Sequence, residues 1–250
     1  MKIARFVFPM ALCCTVGTTA LGQGFINLNF EQAVITPDPS SLYYPYAVFA
    51  SNAIPGWTAL GFISPRDVLY NDISLGAASV SLFGTQDQYG PNSLDQNYSI
   101  GLYGGVEGPA AGASISQTAV VPVNAVSIQF IAQGQMAPLG SQFGGPLLVS
   151  LGGQNIPLIA LSNGPNYTIY GGNVASFAGH LEQLIFDAPQ GINNYWEIDD
   201  IGFFPTPVPE PKTMALLAIY LGLIIWRLKP RKLTGRKVSI GEFVQWLFAQ

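Results

Sequence analysis

Along residues 126–133, Val126, Ile128, Phe130 and Ala132 alternate with Ser127, Gln129, Ile131 and Gln133. That period of two predicts a strand with one buried face. Short apolar runs recur on both sides of it, among them "VSLFG", "NYSIGLYGG", "LEQLIFDAPQG" and "YWEIDDIGFF", separated by glycine- and asparagine-rich turns. "LLVSLGGQNIPLIAL" predicts a hairpin about Gly152 to Asn155. "NVASFAGHLEQL" predicts one helical turn, with Ser176 as its cap. No long helical periodicity and no fixed-period repeat runs through residues 23–204. Many short strands at this spacing predict an all-β sandwich, and roughly 180 residues suffice for one substantial core.

The two ends follow other patterns. "MKIARFVFPMALCCTVGTTALGQGF" opens with Lys2 and Arg5, continues through an apolar stretch from Phe6 to Val16, and reaches the small residues Ala20 and Gly22. This is the layout of a cleaved secretory signal over residues 1–22, which would engage the Sec export machinery and signal peptidase. At the other end, prolines at 205, 207, 209 and 211 form a linker over residues 205–211. Met214 to Trp226 then carries no charge, and at about 1.5 Å per residue it spans roughly 20 Å. That is short for a hydrocarbon core of about 30 Å, so Lys212 and Arg227 would reach toward the headgroups. A transmembrane helix is predicted over residues 212–229. Six Lys/Arg from Arg227 to Lys237 place the basic tail, residues 230–250, in the cytoplasm. Within that tail Ile240, Phe243, Val244 and Leu247 recur at helical spacing, as in a helix lying on a membrane face or a disordered overhang.

Charge is distributed unevenly. Between Gln23 and Pro211 the single basic residue is Arg66, set against thirteen Asp and Glu, a formal −12. Such a surface repels phosphate backbones, which excludes nucleic acid as a partner. It suits cations or neutral sugars, or it serves only to keep the domain soluble. Cys13 and Cys14 both fall inside the signal, so the exported chain has no disulfide framework.

Val208-Pro209-Glu210-Pro211, the apolar run, and the cluster Arg227, Lys229, Arg231 and Lys232 together resemble the PEP-CTERM sorting signal of Gram-negative bacteria. The resemblance covers about 25 residues, and this chain continues beyond it from Leu233 to Gln250. It implies recognition by an exosortase, a membrane cysteine protease-transferase, near the Pro-Glu-Pro motif. It also implies a carrier tethered to the inner membrane with a periplasmic ectodomain, or processed to the cell surface or matrix, and linked to exopolysaccharide and biofilm.

"GFINLNFEQ", "IPGWT" and "YWEIDDIGF" resemble the galactose-binding-like jelly rolls of carbohydrate-binding modules. That resemblance implies a jelly-roll sandwich, often with a structural calcium joining the first and last strands. The matching positions are Glu31 and Asp199 or Asp200. Neighbouring strand residues point to opposite faces, so both aspartates enter one site only across a bulge. With solvated strand-end carboxylates as the alternative, no other cofactor is expected. Tyr43, Tyr44 and Tyr46 of "LYYPYAVF", with Trp57, are candidates for stacking on sugar rings; the alternative is that the aromatics fill the core.

Catalytic motifs are sparse. His180 is the one histidine, and "GASIS" lacks the closing glycine of a nucleophile elbow. No spacing singles out a carboxylate pair among Glu182, Glu197 and the aspartates. The sequence therefore predicts a non-enzymatic, exported envelope protein with a structural or matrix-associated role. A tethered carbohydrate-binding module is the alternative, and a glycoside hydrolase stands third.

Overall fold

The computed structural model describes residues 24–74, 76–85, 92–106, 112–134, 145–209 and 219–221. The predicted signal peptide, Glu210, Pro211, nearly all of the predicted membrane helix, the basic cluster and the tail lie outside the described residues. The chain divides into two compact units, residues 1–208 and 209–250. In the second, residues 219–221 are helical. Among the described residues no helix is long and apolar enough to cross a membrane.

The first unit is built from two sheets, as the alternation predicts. The eight-stranded sheet runs, in spatial order, β1 (Ala47–Phe49), β3 (Asp67–Tyr70), β4 (Ser79–Gly84), β5 (Tyr98–Gly105), β13 (Gly191–Phe204), β7 (Ser127–Gln133), β11 (Thr168–Asn173) and β10 (Ile159–Asn163). The five-stranded sheet runs β2 (Thr58–Leu60), β6 (Gly112–Val120), β12 (Leu181–Pro189), β8 (Leu148–Leu151) and β9 (Gln154–Asn155). All pairs are antiparallel except β3 with β4.

The core lies between the sheets. Ile128, Phe130 and Ala132 of β7 meet Phe186, Leu184 and Ala188 of β12, with Leu82, Ile100 and Ile198 beside them. Phe130 and Phe186 pack edge to face with centroids 5.0 Å apart. The hairpin predicted about Gly152 forms between β8 and β9, with Gly152 and Gly153 at φ 57° and 75°. Such paired positive φ values suit a tight hairpin turn and favour glycine. Its second strand is shorter than the apolar pattern implied, because Pro157 follows Ile156 and the chain then crosses to the other sheet as β10. The predicted helical turn is a 3₁₀ turn over Ala175–Phe177. Ser176 lies inside the turn and not at its cap, which is Val174; one residue earlier, Asn173 Oδ1 accepts from Ala175 N–H at 3.0 Å.

On the opposite face of the large sheet the simple half-buried pattern fails. Ser79, Ser81, Ser99, Glu197 and Asp199 are all buried there, with Phe83, Tyr103 and Tyr195 forming a second, smaller cluster.

Candidate functional site

Strand register assembles this second face. Ser81 pairs with Gly101, Gly101 with Glu197, and Glu197 with Gln133, so one row crosses β4, β5, β13 and β7. A side chain on Gly101 would collide with the Phe83 ring, which occupies the space that residue leaves. Glu197 has 0% exposure. Its carboxylate accepts a short hydrogen bond from Ser99 Oγ–H and a longer one, 3.3 Å, from Gln133 Nε2–H. The Tyr195 hydroxyl, on the same side of the same strand, is a third partner. Burial pushes the carboxyl up to about 7 against these three hydrogen bonds. In the same row, two strands away, Ser81 Oγ is buried with no partner among the described residues.

Beside this row opens a cleft of about 610 Å³. The turn between β10 and β11 supplies Asn163, Asn166 and Tyr167; Tyr170, Gln133 and Trp196 supply the wall. Among the described residues no charged side chain lines it. Trp196 is fixed by donating from Nε1 to the Gly145 carbonyl at 3.1 Å and stands edge-on to Tyr170, centroids 5.9 Å apart. Tyr170 in turn stacks on Phe130 of the core at 5.9 Å. Both rings are therefore held in place while remaining half-buried. Gln133 belongs to both features, since it lines the cleft and donates to Glu197.

The residues singled out in the sequence fall elsewhere. Trp57 is 6% exposed and belongs to the core: it lies between Phe30 and Phe186 and donates from Nε1 to the Asn27 carbonyl at 3.0 Å. It is not available for stacking, because "IPGWT" turns its side chain inward to satisfy that carbonyl. Tyr43, Tyr44 and Tyr46 are exposed on a loop, with Tyr44 edge-on to Phe62 at 4.8 Å. Val208 is buried over Gly171 at the end of the domain, and Pro209 is exposed. His180 is exposed. Glu182 lies on β12 and Glu197 on β13, in different sheets.

Glu31, Asp199 and Asp200 do share one neighbourhood, together with Asp95. A register shift between Asp199 and Gly202, with Asp200 at φ 48°, supplies the bulge that two adjacent aspartates require. Burial, followed by the charges of Asp200 and Asp95, pushes Asp199 up to about 8. Asp200 is raised by burial, then by Asp95, with Glu31 also contributing. Both Glu31 oxygens accept hydrogen bonds, from Asn97 N–H and Nδ2–H at 2.8 Å and Tyr98 N–H at 2.9 Å. Among the described residues no group of three or more His, Cys, Asp or Glu is arranged to hold a metal ion.

No family model matches the chain, and no curated relative does. Among solved structures, an apo-form cyclase from Fischerella sp. is similar at 15% identity, over 75% of this chain and 98% of that one, with a TM-score of 0.42. A cyclase from Fischerella sp. TAU, solved with 4-(1H-indol-3-yl)butan-2-one, is similar at 16% identity over 76% and 100%, TM-score 0.42. The enzymatically active domain of tailspike protein 4 from bacteriophage CBA120 is similar at 19% identity over 60% and 20%, TM-score 0.33. The expectation of a non-catalytic structural or matrix role finds no support among these structures, whose titles name cyclases and an enzymatically active domain. A β-sandwich of this outline does not by itself exclude catalysis. The expectation rested on missing nucleophile motifs, and a carboxyl buried by cross-strand register belongs to no motif.

Proposed function

We propose that the sandwich binds a neutral, ring-bearing small molecule in the cleft beside Trp196 and Tyr170. The observation that carries this reading is the pair of rings, Tyr170 and Trp196, held edge to face by their packing on Phe130 and by the Trp196 bond to Gly145 while both line the cleft. The lining is more polar than apolar, with Asn163, Asn166 and Gln133 beside the two rings, and a cleft of this size suits a small ligand. With no charged side chain among the described residues that line it, the cleft disfavours the desolvation of a charged ligand. Saturation-transfer NMR on the full chain in detergent, with neutral and anionic ring fragments, tests the binding. Neutral fragments should bind, and Tyr170→Ala or Trp196→Ala should weaken them at least about tenfold. Equal binding by both variants would overturn the reading.

The acidic neighbourhood supports a second proposal, a structural calcium. Four carboxylates crowd together without a Lys or Arg among them, and an all-oxygen donor set is the kind calcium takes. Glu31, Asp199 and Asp200, with Asp95, would hold it once the bulge closed around the ion. The proposal for the ends of the chain rests on their sequence order: export by residues 1–22 and sorting through Pro209-Glu210-Pro211, the apolar run and the basic cluster.

A further inference from the structure

The proline-rich stretch that the sequence predicts as a linker is pinned to the domain by one side chain. Phe204 to Pro207 and Pro209 are exposed, whereas Val208 among them is only 7% exposed. Three features of the large sheet converge on it. Gln129 lies between Ile128 and Phe130, which point into the core, so it points to the outer face. Gly171 pairs with Gln129 and therefore opens on that same face. A Cβ on Gly171 would stand 2.7 Å from Val208 Cγ1, 2.9 Å from Leu161 Cδ1 and 3.3 Å from Gln129 Cγ. Its φ is not left-handed, so space rather than backbone conformation accounts for the glycine. Leu161 is the extra residue of a bulge between Ala160 and Ser162 on β10, and a bulge re-aims a side chain of its strand. Ser127 is 0% exposed and donates from Oγ to the Thr206 carbonyl at 2.8 Å.

We infer that residues 205–208 form a latch: with Val208 in its socket the cutting enzyme cannot engage the motif from Val208 to Pro211, and processing waits on release of Val208. This rests on the sorting reading proposed above. Cleavage needs several residues on each side of the bond extended in an enzyme's cleft, and a docked residue joins them only when the local structure opens. Where opening and closing are fast relative to cutting, the rate follows the population of the open form. The prolines favour docking, because a stiff segment has less conformational freedom to lose. Ser127, Gly171 and Leu161 belong to β7, β11 and β10, so the socket forms only when that edge of the large sheet has assembled. Latching therefore follows folding of the domain.

The test has two arms, both on the full chain. In methyl NMR in detergent, Val208 should show cross-relaxation to Leu161, and Gly171→Ala should abolish it by filling the socket while leaving the motif itself intact. In the native host, pulse–chase with intact-mass detection should show the product ending near Pro211 forming at least about threefold faster in Gly171→Ala. Ser127→Ala frees Thr206 through a separate contact, so it should also speed processing, and it stands in if Gly171→Ala folds poorly. Absence of the Val208–Leu161 signal in the wild type would overturn the latch, as would an unchanged or slower rate in the released variants. If wild type and variants all end at Gln250, the sorting reading fails and the latch fails with it, whatever the NMR shows.

Discussion

Glu197 sits between Trp196 and Ile198 on β13, and each neighbour turns toward the core while the carboxyl turns away from it. The sign of its effect on stability follows from its raised value. Its folded carboxyl titrates near 7, above the ordinary 4.5. The folded state therefore binds more protons than the unfolded one between those values. The contribution is full below the ordinary value and is lost as pH rises through 7. Asp199, raised to about 8, acts in the same direction. Glu197→Gln should thus flatten the decline in thermal midpoint between pH 5 and pH 8 and raise the midpoint at pH 8, by on the order of a few degrees. Differential scanning calorimetry reads this directly; a variant with the wild-type slope would show that the carboxyl is not desolvated. Trp57→Ala should destabilise by roughly 3–5 kcal/mol in a denaturant melt, because it empties core volume and orphans the Asn27 carbonyl. A Trp57 that merely lined a binding surface would cost far less.

At the scale of elements, the alternation in β7 and the glycine pair between β8 and β9 were legible because each is a local pattern. Burial of the second face was not. Ser79 and Ser81 of β4, Ser99 of β5 and Glu197 of β13 become neighbours only through register, across more than a hundred residues of sequence. "SVSLFG" and "YWEIDDIGF" show by period two which residues share a face, and that was the available signal. Which face would be wet is a tertiary property. For the same reason the sequence left Trp57 open between a stacking surface and the core, and Asn27, 30 residues earlier, provides the acceptor that places it inside. Gly101 marks the row's tightest point, since Phe83 fills the space beside it. Gly101→Val should cost roughly 1–3 kcal/mol through overpacking, read as a lower denaturation midpoint. An unchanged midpoint would mean that the ring has room to move.

At the scale of the molecule, the acidic bulge and the chain's end make separate predictions. About 1 mM calcium should raise the thermal midpoint by several degrees, and chelator should reverse it. No shift would remove the ion, leaving Asp199 and Asp200 as a crowded acidic pair. Intact mass of protein from the native host should show loss of residues 1–22 and a new end near Pro211; a product ending at Gln250 would make the tail a permanent anchor. The central claim concerns the cleft walled by Tyr170 and Trp196, and a crystal structure with a bound neutral ring fragment tests it most directly. The ring should lie against Tyr170 and Trp196 with a polar atom about 3 Å from the side-chain amide of Asn163 or Asn166. A fragment seated away from both rings would contradict the account.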